Sequence, residues 1–99
     1  MLNSKQRAIL RAEASRIDAI FQVGKGGVGE AAVRSIGDAL EARELVKITV
    51  LDNSDVDIRE AAEEIAEKTD SEVVSVIGRK IILFRESSKQ EKRKISALI

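Results

Sequence analysis

The stretch FQVGKGGVGEA, residues 21–31, decides how this chain folds. Residues 19–23, AIFQV, form a short apolar run bounded by glycine, which predicts a β-strand. Residues 28–43, VGEAAVRSIGDALEAR, carry apolar side chains at helical spacing, which predicts a helix. A strand, a glycine-rich turn and a helix in direct succession indicate an α/β fold.

The flanking sequence predicts the remaining elements. Helices are expected over residues 3–17 and 56–69, and Asn3 or Ser4 can cap the first of them. Strands are expected over residues 45–51, 72–77 and 80–85. The dipeptide Gly78-Arg79 is a two-residue hairpin signal. The predicted order is α-β-α-β-α-β-β, a single α/β domain with a four-stranded mixed sheet. Helical crossovers make the first strand connections parallel, and the hairpin is antiparallel.

Two features refine this prediction. Gln22, Lys47 and Thr49 stand opposite apolar neighbours in the first two strands, so one face of the sheet should be partly polar or thinly covered. Gly37 interrupts the second helix at a cost of about 1 kcal/mol relative to alanine, which suggests a close packing contact there.

We expect a domain over residues 1–86 and a charged C-terminal extension over residues 87–99. The extension, SSKQEKRKISALI, is charged with an apolar end, so it is predicted to be a frayed helix or a disordered tail.

The composition excludes several classes of protein. The 99 residues include no Cys and no His, which removes disulfides, thiolate metal sites and the usual general base near neutral pH. No apolar run approaches the ~18 residues of a membrane span. We therefore expect a soluble, cytoplasmic protein.

Charge is unevenly distributed along the chain although the formal net charge is zero. Residues 1–34 carry +3, residues 35–77 carry −8, and residues 78–99 carry +5. Such asymmetry can build a basic patch on a neutral protein. The third helix carries a set of carboxylates that is interpreted as a solvated face turned away from any anionic ligand: Glu60, Glu63, Glu64 and Glu67. Asp55 and Asp57 are interpreted as first-turn charges rather than metal ligands.

The spacing of the glycines in this loop matches the fingerprint of dinucleotide-binding sites. Gly24, Gly26 and Gly29 satisfy GxGxxG between a strand and a helix, and Asp52 follows the next strand near the usual acidic position. Against this hypothesis, a helix precedes the first strand and the chain contains no second half of such a fold.

A P-loop is excluded on chemical grounds, because Glu30 and Ala31 stand where Lys and Ser or Thr must bind phosphate and magnesium.

A third interpretation takes Gly24-Lys25-Gly26-Gly27 as a GxxG loop that clamps a nucleic-acid backbone. Lys25 at its tip would contact a phosphate directly. From the loop alone, the favoured interpretation is a simple tight turn that needs glycine for its backbone angles.

The wider sequence resembles a known family over residues 2–86. A basic first helix is followed in order by IFQVGKGGV, IGDALEARELVKITVL, AAEEIAEKT and VVSVIGRKIILFRES. This pattern is similar to the CRM domain, the YhbY-like family of RNA-binding proteins. The resemblance implies a fold like the C-terminal domain of translation initiation factor three. It also implies binding to ribosomal RNA in large-subunit precursors, without catalysis or a cofactor. We accordingly expect a monomer that is not an enzyme and that uses no metal and no small-molecule substrate.

The same resemblance implies which residues bind RNA. They are the loop, the basic first helix, the lysine of the second strand and the arginine of the hairpin: Gly24, Lys25, Gly26, Gly27, Lys5, Arg7, Arg11, Lys47 and Arg79. This chain lacks the family's frequent Pro before the first strand, and Gly29 stands where a polar cap is more usual.

Aromatic residues are scarce, which bears on mechanism. Phe21 and Phe84 are expected in the core, so recognition should use RNA backbone and shape more than stacking on bases. The expected affinity is modest, with about four to six phosphate contacts. A protein-interaction module that uses the acidic helix or the terminal ISALI remains a further alternative.

Overall fold

The computed structural model describes residues 2–24, 28–51 and 57–99. In these ranges the elements follow the predicted order. They are α1 (Ser4–Ala14), β1 (Phe21–Val23), α2 (Glu30–Arg43), β2 (Leu45–Val50), α3 (Ile58–Thr69), β3 (Glu72–Ile77), β4 (Lys80–Phe84) and two 3₁₀ turns, Gln90–Lys92 and Ser96–Leu98. Of the helices in the described ranges, none is long and apolar enough to cross a membrane.

The strands form one mixed sheet in the order β1-β2-β4-β3. β1 lies parallel to β2, while β4 runs antiparallel to both β2 and β3. The hairpin between β3 and β4 turns at Gly78, whose φ of +58° is a left-handed value that glycine adopts without strain. The predicted four-stranded mixed sheet and its two-residue hairpin are confirmed.

Local chemistry explains where α1 begins and ends. The Asn3 side chain accepts from the Gln6 amide at 2.8 Å, and the Gln6 side chain accepts from the Asn3 amide at 3.0 Å, a reciprocal capping box. The helix ends at Ala14, earlier than the predicted residue 17. The Ser15 hydroxyl donates to the Ala12 carbonyl, which competes with continued helix formation.

α2 begins after Gly29, which has no side chain to cap it, and Glu30 supplies negative charge to its first turn. A Cβ at Gly37 would meet nothing within 4 Å. The expectation that Gly37 marks a close packing contact is therefore wrong. Asp57 is confirmed at the start of α3, where its side chain accepts from the Glu60 amide at 3.0 Å.

The two faces of the sheet carry two separate cores. One core packs α2 and α3 against Val46, Ile48 and Val50 of β2 together with β4 residues Ile81 and Leu83. The other packs Leu10 and Ala14 of α1 against Leu45, Val74, Ile82 and Phe84. Phe84 is buried and Phe21 packs against the first core, so the prediction that both phenylalanines are core residues is confirmed.

The C-terminal residues pack on the α1 side of the sheet. Ile95 and Ile99 join the core beneath α1, and the chain between them contains only 3₁₀ turns. The expected frayed helix or disordered tail is wrong, because a buried carboxylate, Glu44, holds this segment from 43 residues or more away in sequence. The domain boundary after residue 86 stays a prediction.

Candidate nucleic-acid interface

The end of β1, the end of β2 and the hairpin meet at one end of the sheet, called here the loop end. The Leu51 amide donates to the Val23 carbonyl at 2.8 Å, and the Val50 amide donates to the Arg79 carbonyl at 2.7 Å. Gly24 directly follows Val23, so Gly24 and Arg79 are brought to the same end. Lys25, Gly26 and Gly27, the rest of the predicted GxxG loop, lie outside the described residues.

The Arg79 side chain turns back onto β2. Its Nε donates to the Val50 carbonyl at 2.8 Å, and its Nη2 donates to the Leu51 carbonyl. Both carbonyls lie beyond Thr49, the last β2 residue that pairs with β4, so the guanidinium satisfies acceptors that this pairing leaves open. Arg79 thus has a structural role at the loop end, and its half-buried side chain joins the hairpin to β2.

Lys47 projects from β2 on the side of the sheet that carries α1. Its Nζ donates to the Ile17 carbonyl at 3.1 Å, and the side chain is half-buried. The contact ties the segment that links α1 and β1 to the sheet. The lysine that the resemblance implies as an RNA contact therefore also stabilises the path of the chain.

The basic residues of α1 have different environments. The Arg7 Nη1 donates to the carbonyls of Val73 and Val74, the latter at 3.0 Å, where the pairing of β3 with β4 shifts register. Lys5 and Arg11 are exposed, and within the described ranges neither side chain has a hydrogen-bond or ion-pair partner. Residues two apart on a helix are separated by about 200°, so Lys5 projects away from Arg7. Arg11, one turn after Arg7, lies on the same flank.

The two flanks of α1 face opposite ends of the sheet. Gln6 lines a cleft with Ser71 and Glu72 at the start of β3. Arg7 reaches the middle of β3, further toward the hairpin. Since Arg11 follows Arg7 at i+4, the Arg7–Arg11 flank faces the loop end. The structure thus brings Gly24 and Arg79 to one end of the sheet. Arg7 and Arg11 lie on the flank of α1 that faces this end, Lys47 lies inside the sheet, and Lys5 projects away from that flank.

Beyond α1, one row of side chains crosses the sheet. Gln22 pairs with Thr49, Thr49 pairs with Lys80, and Lys80 pairs with Ile77. Directly paired residues project to the same face. This four-residue set, called here the open row, lies on the α1 face, because Thr49 shares the side of β2 that carries Leu45 and Lys47. Gln22, Lys80 and Ile77 are exposed, and Thr49 is half-buried.

The open row confirms the prediction of a partly polar, thinly covered sheet face. Lys80 and Ile77 were absent from the predicted site, although strand alternation from Lys80 in β4 carries the signal that would have found them. The Lys80 Nζ donates to the Thr49 hydroxyl at 2.8 Å, so the cation lies across the middle of the row.

Acidic residues lie mainly elsewhere. Glu60, Glu63, Glu64 and Glu67 are exposed on α3, which packs on the opposite face of the sheet. Hydrogen bonds from Ser88 lower the pKa of Glu41, which lies on α2 next to the C-terminal segment. Among the residues that the structure describes, no cluster of three or more acidic side chains has the geometry to hold a metal ion.

The dinucleotide hypothesis has weak structural support. In that fingerprint the third glycine allows close helix–strand packing. Gly29 occupies this position, but its φ is −89° and a Cβ there would meet nothing within 4 Å. The glycine is therefore not required by packing. Asp52, the predicted acidic partner, lies outside the described residues.

Comparison with known proteins shows the family to which this chain belongs. The model of the CRS1/YhbY (CRM) domain family matches residues 2–85. The chain is 43% identical over 91 residues to "Probable RNA-binding protein YqeI" of Bacillus subtilis, covering 92% of this chain and 95% of that protein. It is 37% identical over 86 residues to "Probable RNA-binding protein MJ0652" of Methanocaldococcus jannaschii, covering 85% of this chain and 63% of that protein.

A solved structure extends the comparison to the fold. The solution structure of the hypothetical protein SAV1595 from Staphylococcus aureus matches with a TM-score of 0.78 and 47% sequence identity. The match covers 95% of this chain and 98% of that one. With the family model spanning most of its length, this chain belongs to the CRS1/YhbY (CRM) domain family.

Proposed function

We propose that this protein binds RNA without catalysing a reaction, and that its target is ribosomal RNA in precursors of the large ribosomal subunit. It acts in the cytoplasm as a monomer and needs no cofactor. The observation that carries the proposal is that Gly24, where the predicted loop begins, and Arg79 lie at the same end of the sheet, toward which the Arg7–Arg11 flank of α1 faces. The names of two relatives, which describe them as probable RNA-binding proteins, support the same ligand class.

In the proposed mechanism the residues divide into two groups. Lys25 and the backbone amides of Gly24, Gly26 and Gly27 contact phosphate oxygens, since glycine permits the backbone to approach closely. Arg11 adds an exposed cation, and Lys5 reaches a more distant part of the RNA. Arg7, Lys47 and Arg79 hold the platform together through backbone carbonyls and add positive potential.

Positive charge of this kind makes binding dependent on salt. Each phosphate contact releases condensed counterions, so log K falls with log salt concentration in proportion to the number of contacts. About four to six contacts give a slope of roughly −3 to −4 on single-stranded RNA. Because the formal net charge is zero, long-range attraction is weak and the local patch supplies most of the electrostatic affinity.

The test measures binding of labelled large-subunit ribosomal RNA fragments by fluorescence anisotropy at two salt concentrations. Lys25→Glu is expected to weaken binding and to reduce the salt slope. Lys68→Glu is the control, because Lys68 is an exposed lysine on α3, away from the loop end. NADH and ATP are added as competitors. Equal effects of the two substitutions, or RNA binding that nucleotide abolishes, would overturn the proposal.

A further inference from the structure

We propose that the open row (Gln22, Thr49, Lys80 and Ile77) is a second binding surface that receives a short single-stranded segment of the RNA held by the glycine loop. The proposal rests on the proposed function, since the loop must first bring RNA to this end of the sheet. It adds a site on the sheet face to the contacts of the loop and of α1.

The open row lies beyond the part of the sheet that α1 covers. The α1 face of the sheet is covered where Leu10 and Ala14 pack on Leu45, Ile82 and Phe84. Thr49 lies two residues beyond Lys47, a further ~7 Å along β2 toward the loop end. There α1 no longer covers the sheet, and the four side chains of the row are accessible from one direction.

The chemistry of the row matches a nucleotide. Lys80 supplies a cation whose Nζ donates a hydrogen bond to the Thr49 hydroxyl at 2.8 Å. Gln22 and Thr49 supply donors and acceptors for ribose hydroxyls and base edges. Ile77 is 54% exposed, and it offers an apolar contact for a base or a ribose.

The charge around the row fits the same ligand. Among the described residues on the row and on the α1 flank that borders it, each charged residue is basic: Lys80, Arg7 and Arg11. The row also continues the proposed interface, because Gln22 is two residues before Gly24, where the glycine loop begins. A strand of RNA that leaves the loop along the sheet therefore meets Gln22 first and Lys80 next.

The size of the row favours a single strand. Four adjacent strands space their outer members about 14 Å apart. In other RNA-binding proteins a four-stranded sheet face accommodates two or three unstacked bases. Here an aliphatic side chain stands where such sheets carry aromatic rings, so contact with the base is apolar packing rather than stacking. This predicts binding with little preference for sequence.

Two pairs of matched substitutions test the proposal. Lys80→Gln is compared with Lys68→Gln, because both lysines are exposed and each Nζ makes one side-chain hydrogen bond, to Thr49 at 2.8 Å and to Glu64 at 2.7 Å. Ile77→Ser is compared with Leu98→Ser, since these side chains are 54% and 48% exposed. Circular dichroism verifies that each variant folds.

The readouts are affinity for a single-stranded fragment, affinity for a duplex of the same sequence, and amide chemical shifts of the row. Lys80→Gln is expected to lower the salt slope on the single strand by about 0.7, the value for one phosphate contact. Ile77→Ser is expected to weaken single-strand binding about fourfold for each CH₂ removed from water. The control variants bind as the wild type does, and the amides of Gln22, Thr49, Lys80 and Ile77 shift on titration.

Three results would overturn the proposal, and they are distinguishable. RNA binding that Lys25→Glu weakens, while the row variants bind normally and the row amides do not shift, rejects the open row and leaves the proposed function intact. Binding to the duplex alone, with shifts in the row, rejects the single strand as occupant. Absence of binding to every ribosomal fragment rejects the proposed function and the open row together.

Discussion

The buried carboxylate of Glu44 is the most sensitive point of this structure. Glu44 ends α2 with a left-handed φ of 68° and is completely buried. Its Oε1 accepts from the amides of Ile95 and Ser96 at 3.0 and 2.9 Å. Its Oε2 accepts from the Ser87 amide at 2.8 Å and from the Ser96 hydroxyl at 2.7 Å. Glu44→Gln is the sharpest perturbation because it preserves size and shape.

The expected loss follows from these four donors. If the glutamine NH2 group takes the position of Oε1, this donor faces two backbone N–H groups, neither of which can accept a hydrogen bond. If the NH2 group takes the position of Oε2, it faces the Ser96 hydroxyl, which can rotate to accept a hydrogen bond, and the Ser87 backbone N–H, which cannot accept one. The best arrangement therefore leaves one buried donor unpaired, at about 1–3 kcal/mol, and removes the charge assistance of the other bonds. We expect a total loss of about 2–4 kcal/mol in the free energy of unfolding.

Urea denaturation followed by circular dichroism measures this loss, because the chain has no Trp or Tyr to report by fluorescence. Glu63→Gln is the control, since Glu63 is exposed on α3 and its change should stay within about 0.5 kcal/mol. Hydrogen exchange provides the local readout: the amides of Ser87, Ile95 and Ser96 should lose protection in Glu44→Gln before α2 does.

Two results would refute the reasoning. One is a Glu44→Gln protein that unfolds within 0.5 kcal/mol (roughly the control's range) of the wild type. The other is unchanged protection of the three amides, which would mean that the carboxylate does not hold the C-terminal segment. A loss smaller than about 2 kcal/mol, together with lost protection of the three amides, would have a different cause. In that case the C-terminal segment detaches from Glu44 and its N–H donors bind water, so the loss equals only the free energy with which the segment packs on the domain.

The remaining predictions concern pH and glycines. Burial raises the pKa of Glu44, but hydrogen bonds from Ser96, Ser87 and Ile95 outweigh it, so the pKa lies below the ordinary 4.5. The stabilisation is therefore present above about pH 4.5 and lost as pH falls through the folded-state pKa; the difference in unfolding free energy between wild type and Glu44→Gln should shrink across that range. Gly37→Ala should stabilise by up to about 1 kcal/mol, because the added Cβ meets nothing; destabilisation in urea would contradict this. Gly78→Ala should cost about 1–2 kcal/mol through its positive φ alone, and an unchanged urea midpoint would exclude that strain.

Sequence by itself determined the order of the elements and their approximate bounds. The capping pair at Asn3 and Gln6, the apolar spacing of α2 and the Gly78 turn are local signals, since each depends on residues within a few positions of one another. The four-stranded mixed sheet follows from that order, because helical crossovers and a tight hairpin leave few alternatives. The resemblance to the CRM family drew on the same local motifs.

Only the tertiary structure decided what the basic residues do. Arg7, Lys47 and Arg79 look alike in the sequence as cations, yet each donates to a backbone carbonyl that is distant in the sequence. The carbonyls that accept from Arg7 and Arg79 are available because β3 shifts register against β4 and because the pairing of β2 with β4 ends. No local sequence pattern predicts either feature. The open row has the same origin: four residues from four strands become neighbours only when the sheet sets their register. Glu44 also reads as an ordinary surface carboxylate until the C-terminal segment folds over it, because burial is a property of long-range packing and not of the residue.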